Sequence, residues 1–170
     1  MFKRLLPLLV FFPITGFANP PATPSELIQE LMSIWRTGDT ASLQEIFADD
    51  AVYVDTPNNV RLVGLEQAAG YVTHIHSWAT DVEVEVGHVM ESDDGASAEW
   101  VMRATQSAPI GALVPIATNR PVTITGITVI QTRNGKIVRA ADYLDALGFV
   151  LQLGATVELP GGTKLGELSE

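Results

Sequence analysis

In this 170-residue chain, chemistry is most plainly written in the segment Val122 to Leu144, VTITGITVIQTRNGKIVRAADYL. Asn134-Gly135 asks for positive φ at two successive positions, the signature of a two-residue type I′ hairpin turn. Counting outward from that turn, Arg133 faces Lys136, Gln131 faces Val138, Val129 faces Ala140 and Ile127 faces Asp142. Asp142 is then the one carboxylate on a mostly apolar strand face. Lost hydration raises a carboxyl pKa, and a raised carboxyl exchanges protons near neutral pH. The same side chain could instead cap the following turn or pair with a buried donor. Tyr53 and Asp55 alternate onto one face of a second strand, Ala51 to Thr56, and are the candidates to work beside Asp142.

The elements that must position these residues run α first, then β. Thr23-Pro24-Ser25-Glu26 is a capping box with proline at the first helical position. Leu27, Ile28, Leu31, Ile34 and Trp35 follow at helical spacing, and Gly38 closes that helix. Asp39 caps a short second helix carrying Leu43, Ile46 and Phe47. Leu65 to Trp78 reads as a third helix with Tyr71, Ile75 and Trp78 in one stripe. Two long strands come next, Val82 to Met90 and Ala96 to Gln106. A three-residue loop, Asp93-Asp94-Gly95, pairs Met90 with Ala98, His88 with Trp100 and Val86 with Met102, leaving Glu85 opposite Arg103 on the other face. Ser107 to Pro121 is a long loop of the kind that borders functional sites. A short apolar helix, Ala146 to Leu153, closes the domain, and residues 155–170 read as a flexible tail.

Trp35, Tyr71, Trp78, Trp100, Met102, Ile127 and Val129 are the candidates for an apolar ligand wall, with His74 beside Tyr71. Core packing is the alternative for the three tryptophans. His74 and His76, two residues apart, lie on different helix faces and make no metal pair. His88 falls on the apolar face of the outermost strand, where a hydrogen-bonded structural role suits it. No His–Glu–His set, cysteine set, glycine-rich phosphate loop or Gly-x-Ser-x-Gly elbow is written in the chain, so neither metal nor cofactor is expected.

Lys3 and Arg4 precede the apolar run Leu5 to Ile14, and Gly16-Phe17-Ala18 offers small residues where a signal peptidase reads. Residues 1–18 are therefore expected to be a cleaved leader, with Asn19 first in a periplasmic or secreted protein and one domain over 19–154. Loss of Lys3 and Arg4 takes the formal charge from −10 to −12. That balance excludes nucleic acid and anionic lipid as partners and suits a small neutral or cationic molecule. The absence of cysteine excludes a disulfide framework.

Three helices followed by a curved antiparallel meander make an α+β cone. In FADDAVYVDTP, GLEQAAGYV, TNRPVTITGITVI and above all NGKIVRAADYLDALGFVLQLG, residues 24–153 resemble the NTF2-like superfamily and its SnoaL-like polyketide-cyclase and limonene-epoxide-hydrolase group. The resemblance implies three N-terminal helices on a curved antiparallel sheet, a deep pocket for a small hydrophobic molecule, and a homodimer. It puts Asp142 on the family's final-strand acid, Tyr53 on a water-holding tyrosine and Asp55 where an asparagine would stand. Trp100 and Met102 take the places of the epoxide hydrolases' arginine and second aspartate, which argues against epoxide hydrolysis. Ketosteroid isomerases offer a second likeness, with Asp55 on their proton-shuttling aspartate. Leu31 and Thr128 fall where their oxyanion-binding pair belongs. A cofactor-free cyclase, isomerase or hydrolase with Asp142 as acid–base, helped by Tyr53 and Asp55, is the leading expectation. A non-catalytic binding or dimerisation module is the alternative.

Overall fold

The computed structural model describes residues 22–166; the leader expected over 1–18 lies outside them. Helix α1 (Pro24–Thr37) starts on the predicted capping box, with Thr23 Oγ1 accepting from the Glu26 N–H and Glu26 accepting from the Thr23 N–H. It ends on Gly38 at φ +74, the left-handed cap that glycine adopts without strain. A 3₁₀ turn capped by Asp39 leads into α2 (Leu43–Ile46), and α3 (Leu65–Trp78) spans the predicted residues. Leu27, Ile28, Leu31 and Ile34 of α1 pack with Val72 of α3 and the inner face of the sheet into the main core.

The strands are β1 (Phe47–Asp55), β2 (Val60–Val63), β3 (Ala79–Ser92), β4 (Gly95–Gln106), β5 (Arg120–Arg133) and β6 (Lys136–Leu144). They form one sheet in the order β2-β1-β6-β5-β4-β3. The sheet is mixed rather than wholly antiparallel, because β1 joins β6 in parallel. That pairing is long-range, with no turn signal in the sequence to announce it. Strand β2, not foreseen, covers the free edge of β1. Helix α4 (Ala146–Gln152) follows Asp145, whose side chain caps it. Where the sequence suggested a loose tail, β7 (Val157–Glu158) and β8 (Lys164–Leu165) pair as a short hairpin.

Both predicted hairpins form, and both carry irregularities that shift their registers. At Asn134-Gly135 the two φ values are +55 and +71, as a type I′ turn requires. Arg133 faces Lys136, but Val138 is then skipped as a bulge, and Ile127 meets Tyr143 while Thr128 meets Asp142. One extra residue changes which β5 side chains share a face with Asp142. Asp142 and Ala140 stay inside with Thr128 and Ile130, whereas Ile127 and Val129 turn to the outer face.

Between β3 and β4 the turn has two residues, Asp93-Asp94, so Ser92 pairs with Gly95 and Val89 with Ala98. A bulge at Gly87-His88 then sets Val86 opposite Trp100 and Val84 opposite Met102. Val84, Val86 and Val89 point inward, whereas His88 is exposed and Met90 is 59 % exposed. His88 therefore does not face Trp100. Glu85 still reaches Arg103 at 3.1 Å, diagonally across the outer face.

Gly126 sits opposite Trp100, and a Cβ there would come within 2.4 Å of the indole and 2.8 Å of the Tyr143 carbonyl. The bare glycine lets Trp100 lie flat across β5. Gly126→Ala should overpack this contact, costing about 2 kcal/mol and several degrees in Tm. Thermal melting followed by tryptophan fluorescence checks it, and an unchanged Tm would mean the indole has room to move aside.

Candidate functional site

The parallel register of β1 and β6 sets Tyr53 beside Ala140 and Asp55 beside Asp142. Neighbouring strands lie about 4.8 Å apart, so two buried carboxyl groups stand side by side on the inner face. Asp55 is 2 % exposed and Asp142 8 %. They meet at a cavity of about 100 Å³ between the sheet, α1, α3 and α4. Trp35, Tyr53, Tyr71, Trp78, Trp100 and Met102 line it, with Phe149 at the α4 side. Trp35, Tyr53 and Tyr71 form a triangle of rings with centroids 5.5–5.8 Å apart.

Each carboxyl has its own set of partners. Asp142 Oδ1 accepts from the Thr128 hydroxyl at 2.5 Å, and Oδ2 meets the Tyr53 hydroxyl. Thr128 in turn accepts from Trp100 Nε1 at 2.9 Å. Asp55 Oδ2 accepts from the Tyr71 hydroxyl and from Asn58 Nδ2 at 2.7 Å, and its Oδ1 from the Asn58 N–H at 3.3 Å. Burial, which penalises the charged form, pushes the Asp142 carboxyl up from 3.8 to about 8. Burial also raises Tyr71, and its hydrogen bond to Asp55 raises it further. At neutral pH Asp142 therefore holds a proton in a mostly apolar pocket, beside a second carboxyl surrounded by three donors.

The structure brings eight of the eleven residues singled out from sequence to this cavity: Asp142, Asp55, Tyr53, Trp35, Tyr71, Trp78, Trp100 and Met102. The other three lie elsewhere. Ile127 and Val129 are on the outer face because of the Val138 bulge, and Ile127 is 40 % exposed. His74 is exposed, stacked on Tyr71 at 6.3 Å, one helical step off the stripe that enters the cavity. Thr128 and Asn58 were missed as partners of the carboxyls. Thr128 was hidden by the unbulged register. Asn58, three residues after Asp55 in a Pro-Asn-Asn turn, was visible as an Asx-type partner.

A curved sheet backed by helices around one apolar, acid-bearing cavity is the NTF2-like architecture. Solved structures share it at low sequence identity. A protein of ketosteroid isomerase-like fold from Catenulispora acidiphila, bound to trimethylamine, is 22 % identical with TM-score 0.66 over 78 % of this chain and 95 % of its own. IdmH from Streptomyces antibioticus, a candidate polyketide cyclase, is 25 % identical with TM-score 0.67 over 78 % and 99 %. A SnoaL-like candidate polyketide cyclase from Shewanella putrefaciens is 14 % identical with TM-score 0.67 over 76 % and 95 %. The chain belongs to the SnoaL-like domain family, whose model matches residues 28–140. No curated protein matches the sequence significantly. The family match stops two residues short of Asp142, so any role for that residue rests on the geometry.

The raised Asp142 carboxyl makes stability depend on pH. Between roughly pH 4 and pH 8 the folded protein holds a proton that the unfolded chain has released. Stability therefore falls as pH rises through this window, by up to about 1.4 kcal/mol per pH unit, and levels off above it. Asp142→Asn removes the titrating group while keeping its size. The variant should be at least as stable at pH 7, with a Tm advantage that grows from pH 4 to pH 8 and is constant above. Melting both proteins across that range checks it. A pH-independent gap would mean that Asp142 titrates alike in both states.

Proposed function

We propose that this SnoaL-like protein is a cofactor-free acid–base enzyme of the cyclase or isomerase kind, moving a proton on a small, mainly apolar, carbonyl-bearing molecule. The observation that carries this reading is Asp142, a protonated carboxyl enclosed beside Asp55 in a cavity walled by aromatic rings. Two adjacent carboxyls in unlike surroundings can divide acid and base work between them. Asp142, protonated, gives the proton to the substrate oxygen directly or through Tyr53, and Asp55 takes the proton that leaves carbon. Aromatic walls hold a flat apolar body and keep bulk water from the transfer.

Deuterium exchange at the α-carbons of small ketones, cyclohexanone and acetophenone among them, reads this proton transfer without the natural substrate. The protein should accelerate exchange, and Asp142→Asn should slow it by ~10²-fold while remaining folded. A non-catalytic binding module is the second reading, supported by the narrow free space and by the protein partners that both Asp142 oxygens already have. No acceleration over buffer on any ketone, with ligand retained by the wild type and by Asp142→Asn alike, would favour that module.

The protein is further proposed to act outside the cytoplasm as a homodimer joined through the outer sheet face, where Ile127 and Tyr143 are 40 % and 49 % exposed. The leader-like residues 1–18 support export, and the resemblance to dimeric cones supports the assembly. Native mass spectrometry of periplasmic material should read twice the mass of a chain beginning at Asn19. A single chain, or one retaining Met1, would refute the corresponding half of this statement.

A further inference from the structure

The hydrogen bonds on the Oδ1 side of Asp142 form a chain with only one possible polarity. The indole Nε1–H of Trp100 can donate but never accept. It points at Thr128 Oγ1 at 2.9 Å, so that oxygen is an acceptor there. Thr128 is fully buried, and its own proton is left to Asp142 Oδ1 at 2.5 Å. Oδ1 is thus already supplied with a donor. A proton carried by Asp142 must sit on Oδ2, the oxygen that meets the Tyr53 hydroxyl.

A phenol can give one proton and accept another. When Asp142 is ionised, Tyr53 donates to Oδ2. When Asp142 is neutral, Oδ2–H donates to Tyr53, and the phenol proton must find a different acceptor. Tyr53 lines the cavity. The wall is already rich in donors: Trp35 and Trp78, which also line it, have buried Nε1–H groups with no partner among the described residues. The titratable groups facing this point are Tyr53 and Asp55 on β1 and Tyr71 on α3, and the last two are engaged with each other.

We infer that Trp100 and Thr128 are positioning residues that hold the Asp142 proton on Oδ2, so that Tyr53 presents its phenol proton to the cavity and selects ligands bearing an acceptor oxygen such as a carbonyl. The inference rests on the acid–base reading above and names the atom that reads the substrate. It also couples recognition to protonation, because ionising Asp142 withdraws the Tyr53 proton from the ligand. With Asp142 pushed up to about 8, that switch lies within reach of ordinary titration.

Two probes of equal shape separate the effect from packing: acetophenone, and α-methylstyrene with a methylene in place of the carbonyl oxygen. Acetophenone should bind the protein about fivefold to tenfold more tightly than α-methylstyrene at pH 6, the worth of one hydrogen bond. At pH 10 the preference should vanish, and Tyr53→Phe should abolish it at pH 6. In carbon-13 titrations of the Asp142 carboxyl, Thr128→Val removes a donor to the charged form and should move the midpoint up by about one pH unit. Thr128→Ser should restore it, which a purely packing role would not predict. If Thr128→Val fails to fold, Trp100→Phe replaces it. There the freed hydroxyl can also accept from the neutral acid, again moving the midpoint up.

Equal affinities at pH 6, a preference unchanged at pH 10, failure of both probes to bind, or an unmoved midpoint in the folded variant would overturn the inference. An Asp142 midpoint in the ordinary carboxylate range would remove the acid–base reading as well. A midpoint near 8 without a carbonyl preference would leave that reading standing and sink only the role given to Tyr53.

Discussion

Taking the Asp142 carboxyl out of water is the constraint around which this fold is arranged. An unpaired carboxylate in a dry interior would cost far more than a domain's whole stability margin. The protein meets that cost by two means. Hydroxyl groups from two different strands, Tyr53 on β1 and Thr128 on β5, sit against the two oxygens. The group also stays protonated to about pH 8, so no net charge has to be buried at neutral pH.

Those two contacts depend on features some distance from the acid. Thr128 faces Asp142 only because Val138 is bulged out of β6, and Tyr53 reaches it only because β1 pairs with β6 in parallel. Trp100 extends to Thr128 only because Gly126 leaves its path across β5 empty. Bulges near a site commonly re-aim a side chain, and here the bulge chooses which neighbour the acid has. Among the described residues the indole N–H groups of Trp35 and Trp78 in the same wall have no partner, each a cost of about 1–3 kcal/mol where no water reaches. A wall tuned for stability alone would hold phenylalanine there.

Much of this was legible in the chain. The capping box at Thr23, the glycine stop at Gly38, the stripe through Tyr71, Ile75 and Trp78, and the type I′ turn at Asn134 are local signals, and each formed where it was read. The inward alternation of Tyr53 and Asp55 held for the same reason, since nothing interrupts β1 at those positions. Features set by backbone irregularity were not legible. A bulge has no reliable residue signature, so β5 was read one step out and Ile127 and Val129 were placed on the wrong face. The β3–β4 hairpin failed likewise, because a two-residue turn combined with a bulge at Gly87 imitates the polarity pattern of a longer loop. Parallel pairing of β1 with β6 joins segments too far apart in sequence for any turn to mark. Register error moved the neighbours of Asp142 but not its own side of the sheet, which is why the acid was found and Thr128 was not.

The apolar character of Trp100 and Met102 and the raised pKa of Asp142 have the same origin. In the epoxide-hydrolase pattern those strand positions hold an arginine and an aspartate, and a guanidinium close to the final-strand acid would keep it ionised. With an indole and a thioether lining the cavity instead, no cation compensates the carboxylate, and desolvation sets its proton affinity. The pocket then favours a neutral acid with an orienting phenol over a charged relay that activates water. A neutral acid of this kind is suited to proton donation to a developing enolate or alkoxide oxygen. Trp100 and Met102 on β4 thus bear on the proton affinity of an acid presented by β6, without any change in the strand that holds it.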